Sequence, residues 1–217
     1  MVTSWDDRAV EVEVPINIAL VKYWGKRDEN LIIPINNSLS LNIDEVFART
    51  RVRCSCRIAA DSVMINDSVM NLEEKKNRRF PKFFDYARSL IKKHKLGAES
   101  GDKSEAVCRF EVCSTTNFPV GAGLASSAAG FAAIAFAIGT MFRIPAEEVS
   151  RLARRGSGSA CRSVFGGLVE WQAGCEPSGL DSVAVFPVGS KHHQNRMETG
   201  TQKGSSTASI NDLLKRQ

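Results

Sequence analysis

Residues 119–128, PVGAGLASSA, place two glycines and two serines between an alternating, strand-like run and a long run of small apolar residues. Gly121 and Gly123 let the backbone take φ > 0 and bring its N–H groups against an anion with no Cβ in the way. Ser126 and Ser127 stand where a helix would open. Their hydroxyls can cap the free N–H groups of a first turn, and those N–H groups with the helix dipole favour a phosphate. The chemistry that fits is phosphate binding by a backbone nest, although a strand-to-helix turn with capping serines and no ligand uses the same residues. A Walker A loop is excluded because no lysine follows the glycines. A dinucleotide fingerprint is excluded because its third glycine position is Ser126.

Two further groups carry chemistry. Ser157, Gly158, Ser159, Ala160, Cys161 and Arg162 form a small-residue, hydroxyl-bearing stretch that ends in an arginine. The backbone can approach an oxyanion there and a guanidinium can grip a carboxylate or phosphate at two points, although a plain flexible turn reads the same way. Tyr23, Trp24, Gly25 and Lys26 follow an apolar run. A tyrosine hydroxyl and an ammonium in one cleft would suit a multiply charged small molecule; core aromatics beside a surface lysine are the alternative.

The elements that must position these groups follow from periodicity. Residues 9–14 alternate as a strand that stops at Pro15, after which 16–23 read as a second, buried segment. Residues 46–58 alternate as the clearest strand, with Cys54 and Cys56 on one face, and 63–65 with Asn66–Asp67 suggest a hairpin partner. Residues 72–96 are basic and helical in period, interrupted at Pro81, with Phe83, Phe84, Ala87, Leu90 and Ile91 as a buried stripe. A loop at 97–104 leads to a strand over 106–114 that feeds the Gly-rich turn. An apolar helix then runs to about Phe142, and a further helix has Pro145 at its first position and ends at Gly156. Residues 166–171 read as one more strand.

The chain has 217 residues and a formal charge of +5, with 43% hydrophobic and 24% charged residues, values of a soluble globular protein with one domain or slightly more. Residues 188–217 hold five basic and two acidic residues, which leaves the body at +2 and speaks against nucleic-acid binding. That same stretch is too polar to build a core, so 187–217 are expected to be a disordered tail behind a domain spanning 1–186. No secretory signal opens the chain, and the apolar run 124–142 is mostly Ala, Gly and Ser, so no membrane association is expected. None of the six cysteines forms a CxxC pair, which fits reduced thiols in the cytosol.

Together, VPINIALVKYWGKRDENLIIPINNSLSLN, NFPVGAGLASSAAGFAA and RRGSGSACRSVFGGLVEW, with GLDSVAV at 179–185, closely resemble the diphosphomevalonate decarboxylases of the GHMP small-molecule kinase superfamily. The likeness covers roughly residues 9–186. It implies an α+β fold, the GHMP-kinase N-terminal domain with a mixed or antiparallel sheet and packed helices. It implies ATP- and Mg²⁺-dependent conversion of mevalonate 5-diphosphate to isopentenyl diphosphate: the tertiary 3-hydroxyl is phosphorylated, and loss of that phosphate accompanies decarboxylation.

By resemblance, Pro119, Gly121, Ala122, Gly123, Leu124, Ala125, Ser126 and Ser127 meet the ATP phosphates, with Ser126 near Mg²⁺. Tyr23, Trp24, Gly25 and Lys26 contact substrate, Ser157 to Arg162 hold its diphosphate and carboxylate with Arg162 as carboxylate partner, and Arg79 contacts substrate from the basic helix, with Arg78 one residue away. Lys26, Arg162 and Ser126 are the residues expected to act in catalysis.

Members of that family are longer, and their second half carries an aspartate in a DAGPN-like segment that orients or deprotonates the 3-hydroxyl. The sequence contains no such segment, and Asp181 is not its equivalent. The expectation is a truncated form with very weak or no turnover alone, since a general base is worth on the order of 10²–10⁴ in rate. The alternative is a non-catalytic member that binds nucleotide or diphosphate. A homodimer, or pairing with a full-length subunit, is expected from the resemblance.

Overall fold

The computed structural model describes residues 7–96, 108–119 and 126–187. The elements are β1 (Arg8–Val21), β2 (Lys26–Asp28), β3 (Ile33–Pro34), β4 (Ser38–Ser55), β5 (Ser62–Ile65), β6 (Ser68–Val69), a 3₁₀ turn at Lys75–Asn77, α1 (Arg79–Leu96), β7 (Arg109–Thr116), α2 (Ser126–Phe142), α3 (Ala146–Gly156), α4 (Ala160–Ser163), β8 (Leu168–Trp171) and β9 (Ala184–Val185). The main sheet runs β6-β5-β7-β4-β8-β9, with β1 also on β4, and β2–β3 form a separate pair. Only β5–β7 is parallel, so the sheet is mixed, as an α+β fold requires.

Alternation decides which face the helices cover. Val12 and Val14 on β1, Val52 and Cys54 on β4 and Phe110 and Val112 on β7 all turn into the core, while Glu11, Glu13, Arg49, Arg51 and Arg53 point away. Helix α2 lies across β1 and β4, with α3 and α4 against it. The aromatic stripe of α1 completes the core: Phe80 stacks on Phe131 at 4.7 Å and Phe84 on Phe110 at 5.2 Å. Pro81 sits in the first turn of α1, where its missing N–H costs no intrahelical bond, so it does not interrupt the helix.

Several boundaries differ from the sequence expectation. Strand β1 continues through Pro15, because β4 is its sole partner among the described residues and a register shift at Pro15/Ile16 accommodates the imide. That shift, with a second at Ala19/Val21, turns Ile18, Leu20 and Val21 outward at 50%, 60% and 51% exposure instead of burying them. Ile18 pairs across with Leu41 and Val21 with Leu39, which makes an apolar strip on the sheet face that no described helix covers. Strand β4 starts eight residues earlier than alternation suggested and ends at Ser55, so Cys56 lies beyond it, exposed, and does not share a strand face with Cys54. Pro145 is the N-cap of α3 rather than its first helical residue. The hairpin at 63–69 forms as expected, with Asn66 and Asp67 at φ 45° and 63°. The expected loop at 97–104, the start of the strand at 106–107 and the tail from 188 lie outside the described residues. Among those described, no helix is long and apolar enough to cross a membrane.

The last residue of α3 limits how closely that helix can approach α2. A Cβ at Gly156 would run into the Phe131 ring. Gly156→Ala is therefore expected to destabilise the fold by about 1–3 kcal/mol, by forcing Phe131 away from Phe80. Urea denaturation checks this, and an unchanged midpoint would mean the ring can move aside freely.

Candidate functional site

The three groups singled out by residue type converge at one end of the sheet. Ser126 and Ser127 open α2, and Ser127 Oγ lies 3.3 Å from Ser157 Oγ at the end of α3. On the other side of the same turn, a Cβ at Gly158 would meet the Tyr23 hydroxyl and Trp171. Glycine is what lets this turn sit against the aromatic pair, in which the Tyr23 and Trp171 ring centroids are 4.8 Å apart, edge to face. The Gly-rich stretch from 120 to 125, with Gly121, Ala122, Gly123, Leu124 and Ala125, lies outside the described residues. Pro119 and the two serines bracket it.

A cavity of about 160 Å³ opens beside the start of α2, walled largely by apolar side chains from β5, β7, α1 and α2. Asn77, Arg79, Ser114, Thr116, Ser126 and Ser127 are the polar side chains among its lining residues. The Arg79 guanidinium sits 5.6 Å over the Phe131 ring, with Nη1 at 3.5 Å from the Gly156 carbonyl. Arg78 and Arg79 are both exposed, and of the two Arg79 lines the cavity.

Trp24 is 85% exposed and projects into solvent. Asn36 holds this loop, accepting from the Trp24 N–H at 3.2 Å and donating to the Lys22 carbonyl at 3.2 Å, and the side chain of Ile35 leans over Gly25. The Lys26 ammonium is 2.8 Å from Glu29 Oε2. Such a surface pair contributes little and can be exchanged for a more strongly charged ligand.

Arg162 is buried, at 2% exposure. Its Nε donates to Ser40 Oγ at 3.0 Å, Nη1 to Ser38 Oγ at 2.6 Å and Nη2 to Asn17 Oδ1 at 3.2 Å. Asn17 in turn donates to the Ser159 carbonyl at 3.0 Å and to Ser163 Oγ at 2.7 Å, and Asn42 donates to the Phe165 carbonyl. Burial pulls the Arg162 guanidinium below arginine's ordinary value. These four polar side chains were not found from sequence. The signal was present in Ser38, Ser40 and Asn42 alternating with leucines, and in Asn17 standing alone in an apolar run.

Neighbouring groups are structural. The backbone N–H groups of Ala160 and Arg162 close turns onto the Ser157 and Ser159 carbonyls, at 2.8 and 3.1 Å. Arg154 is also buried and donates to the Gly179 and Ser182 carbonyls, which ties α3 to the loop before β9; burial lowers it to about 10. Asp181 accepts from the Cys175 and Glu176 N–H groups and holds that same loop.

These placements set a helix start, a small-residue turn and a tyrosine-bearing loop side by side. Residues 14–184 match the model of the diphosphomevalonate decarboxylase-like N-terminal domain. The human diphosphomevalonate decarboxylase is 41% identical over 180 residues, covering 81% of this chain and 44% of the human protein. A solved structure describing mevalonate diphosphate mediated ATP binding by the Enterococcus faecalis decarboxylase is 35% identical with a TM-score of 0.69, covering 83% of this chain and 51% of that one. A complex of MDDEF with MVAPP, AMPPCP and magnesium is 35% identical with a TM-score of 0.68, covering 83% and 50%. The chain belongs to the diphosphomevalonate decarboxylase family, and it spans less than half the length of the curated relatives it matches.

Thiol chemistry gives a direct check on the site. Cys161 is fully buried, donates to the Gly158 carbonyl at 3.1 Å, and is pushed up to about 12 by that burial, whereas Cys175 is exposed. Iodoacetamide at pH 8 should therefore label Cys175 in the native protein and reach Cys161 only after unfolding, as read by peptide mass mapping. Rapid native labelling of Cys161 would show that the 157–162 turn opens readily.

Proposed function

We propose that this chain supplies the nucleotide- and diphosphate-binding half of an ATP-dependent decarboxylase acting on mevalonate 5-diphosphate. The observation that carries the reading is the 3.3 Å approach of Ser127 at the start of α2 to Ser157 in the small-residue turn, which sets two anion-suited segments side by side. In this reading the apolar cavity takes the base end of ATP, Ser126 and Ser127 face its phosphates, and Arg79 stands at the rim. Ser157 to Cys161 with Tyr23 and Lys26 hold the substrate's diphosphate, and Arg162 meets its carboxylate.

ATP supplies the phosphoryl group that turns the tertiary 3-hydroxyl into a leaving group. The carboxylate then departs as CO₂, its electron pair forms the alkene, and phosphate leaves with the C–O bonding pair. The side chains' part is positioning and charge stabilisation. Mg²⁺ fits this donor set as an ion carried on the phosphates with the Ser126 hydroxyl beside it. Among the described residues no group of three His, Cys, Asp or Glu could cage a metal, and Mg²⁺ ordinarily keeps to phosphate oxygens, water and few protein ligands.

Removal of the 3-hydroxyl proton falls to a group from the part of the family that the match does not span. The uncovered strip of Ile18, Val21 and Leu41 is the surface through which a full-length subunit or a second copy would pair with this chain. A cytosolic setting goes with this reading. Binding without turnover is the second reading.

Calorimetry with mevalonate 5-diphosphate and release of labelled CO₂ test both. Binding in the submillimolar to millimolar range is expected for the 217-residue chain, weakened by Arg162→Ala. No heat at millimolar ligand, with Arg162→Ala behaving like the parent, would overturn the proposal. Binding with no CO₂ released would select the second reading.

A further inference from the structure

We infer that Ser38 and Ser40 are positioning residues, an uncharged cradle that holds the Arg162 guanidinium in place and leaves its charge for the ligand's carboxylate. This rests on the reading above that Arg162 meets that carboxylate.

The start of β4 inverts the usual polarity of a strand. Along Ser38-Leu39-Ser40-Leu41-Asn42 the polar residues face the helices, at 1%, 0% and 7% exposure, while Leu41 is 42% exposed on the open face. Spacing of two along a strand puts both serine hydroxyls on one face, under α4. Burying hydroxyls where aliphatic side chains would pack costs stability unless each is hydrogen-bonded, and here both hydroxyl oxygens accept from the same side chain.

Charge makes the second half of the argument. A buried guanidinium is ordinarily met by a carboxylate, yet among the described residues Arg162 has no ion-pair partner. Its three acceptors are two hydroxyls and one amide oxygen, all neutral. Guanidinium carries five N–H donors. These acceptors take one on each nitrogen, so two remain, one on each terminal nitrogen, for an incoming anion. A carboxylate in place of either serine would neutralise Arg162 from below and remove its attraction for an anion. The hydroxyls fix the plane of the group without doing so. Arg154 is the contrast, since backbone carbonyls hold it as a clamp on the 179–182 loop with no hydroxyl involved.

The test compares two ligands on the full chain: mevalonate 5-diphosphate, which has the carboxylate, and inorganic pyrophosphate, which lacks it. For Ser38→Ala/Ser40→Ala, affinity for mevalonate 5-diphosphate should fall by about tenfold or more, the scale of hydrogen bonds to a charged group, while affinity for pyrophosphate stays within about twofold of the parent. Ser38→Thr, which keeps the hydroxyl, should recover most of the loss. Equal losses for both ligands would make the pair merely structural and overturn the inference, as would no loss for either. If the parent binds neither ligand, the functional reading itself falls, a result distinct from the other two. Should the double variant fail to fold, Ser38→Ala alone, which removes the 2.6 Å contact, gives the same comparison.

Discussion

Helix α2 has no polar side, and a helix apolar all round has to be covered all round. The sheet takes one flank, α3 and α4 take others, and the aromatic stripe of α1 closes against Phe131. Because α2 is sunk so deeply, its first turn is fixed relative to the sheet ends and to the turn after α3. Small residues make this close approach possible: Gly139 faces Val149, Gly156 faces Phe131, and a Cβ at either position would collide. The serines that open α2 thus inherit their position from the core rather than from the loop before them.

Beneath the turn after α3 the usual order is reversed. Asn17, Ser38, Ser40 and Asn42 occupy buried positions, while Ile18, Val21 and Leu41 face outward. A chain selected for stability alone would place these residues the other way round. Here the buried polar set converges on one cation, and the apolar set lies on a face left open. Local departures from the patterning rule therefore fall at the same few residues of β1 and β4, on both faces of the sheet.

Much of this was legible in the sequence. The α1 stripe at Phe83, Phe84, Ala87, Leu90 and Ile91 is buried as its period requires, and Asn66–Asp67 makes its turn. Motif composition singled out the segments of Ser127, Ser157 and Tyr23, which the fold brings side by side. Periodicity failed at β1, where Pro15 reads as a stop but sits at a bulge on a strand with one partner. It failed again at 38–42, where alternation is present but serine and asparagine occupy the buried side, so a rule that equates apolar with inside misreads the strand. The burial of Arg162 was not legible, because its partners lie 122 to 145 residues away along the chain and no local pattern encodes them.

That sequence separation has a kinetic meaning. The Arg162 cradle joins Asn17 in the second half of β1, the first residues of β4, and a short helix far downstream, so it cannot assemble from any contiguous fragment. Contacts of this span form only after the intervening chain has closed its loops, and closure of long loops is the slow part of folding. The helix start at Ser126 and the hairpin at 62–69 are local and can form early. A nascent chain would thus acquire phosphate-suited backbone before it acquires the guanidinium clamp, and only the completed sheet would distinguish a carboxylate-bearing ligand from any other phosphate.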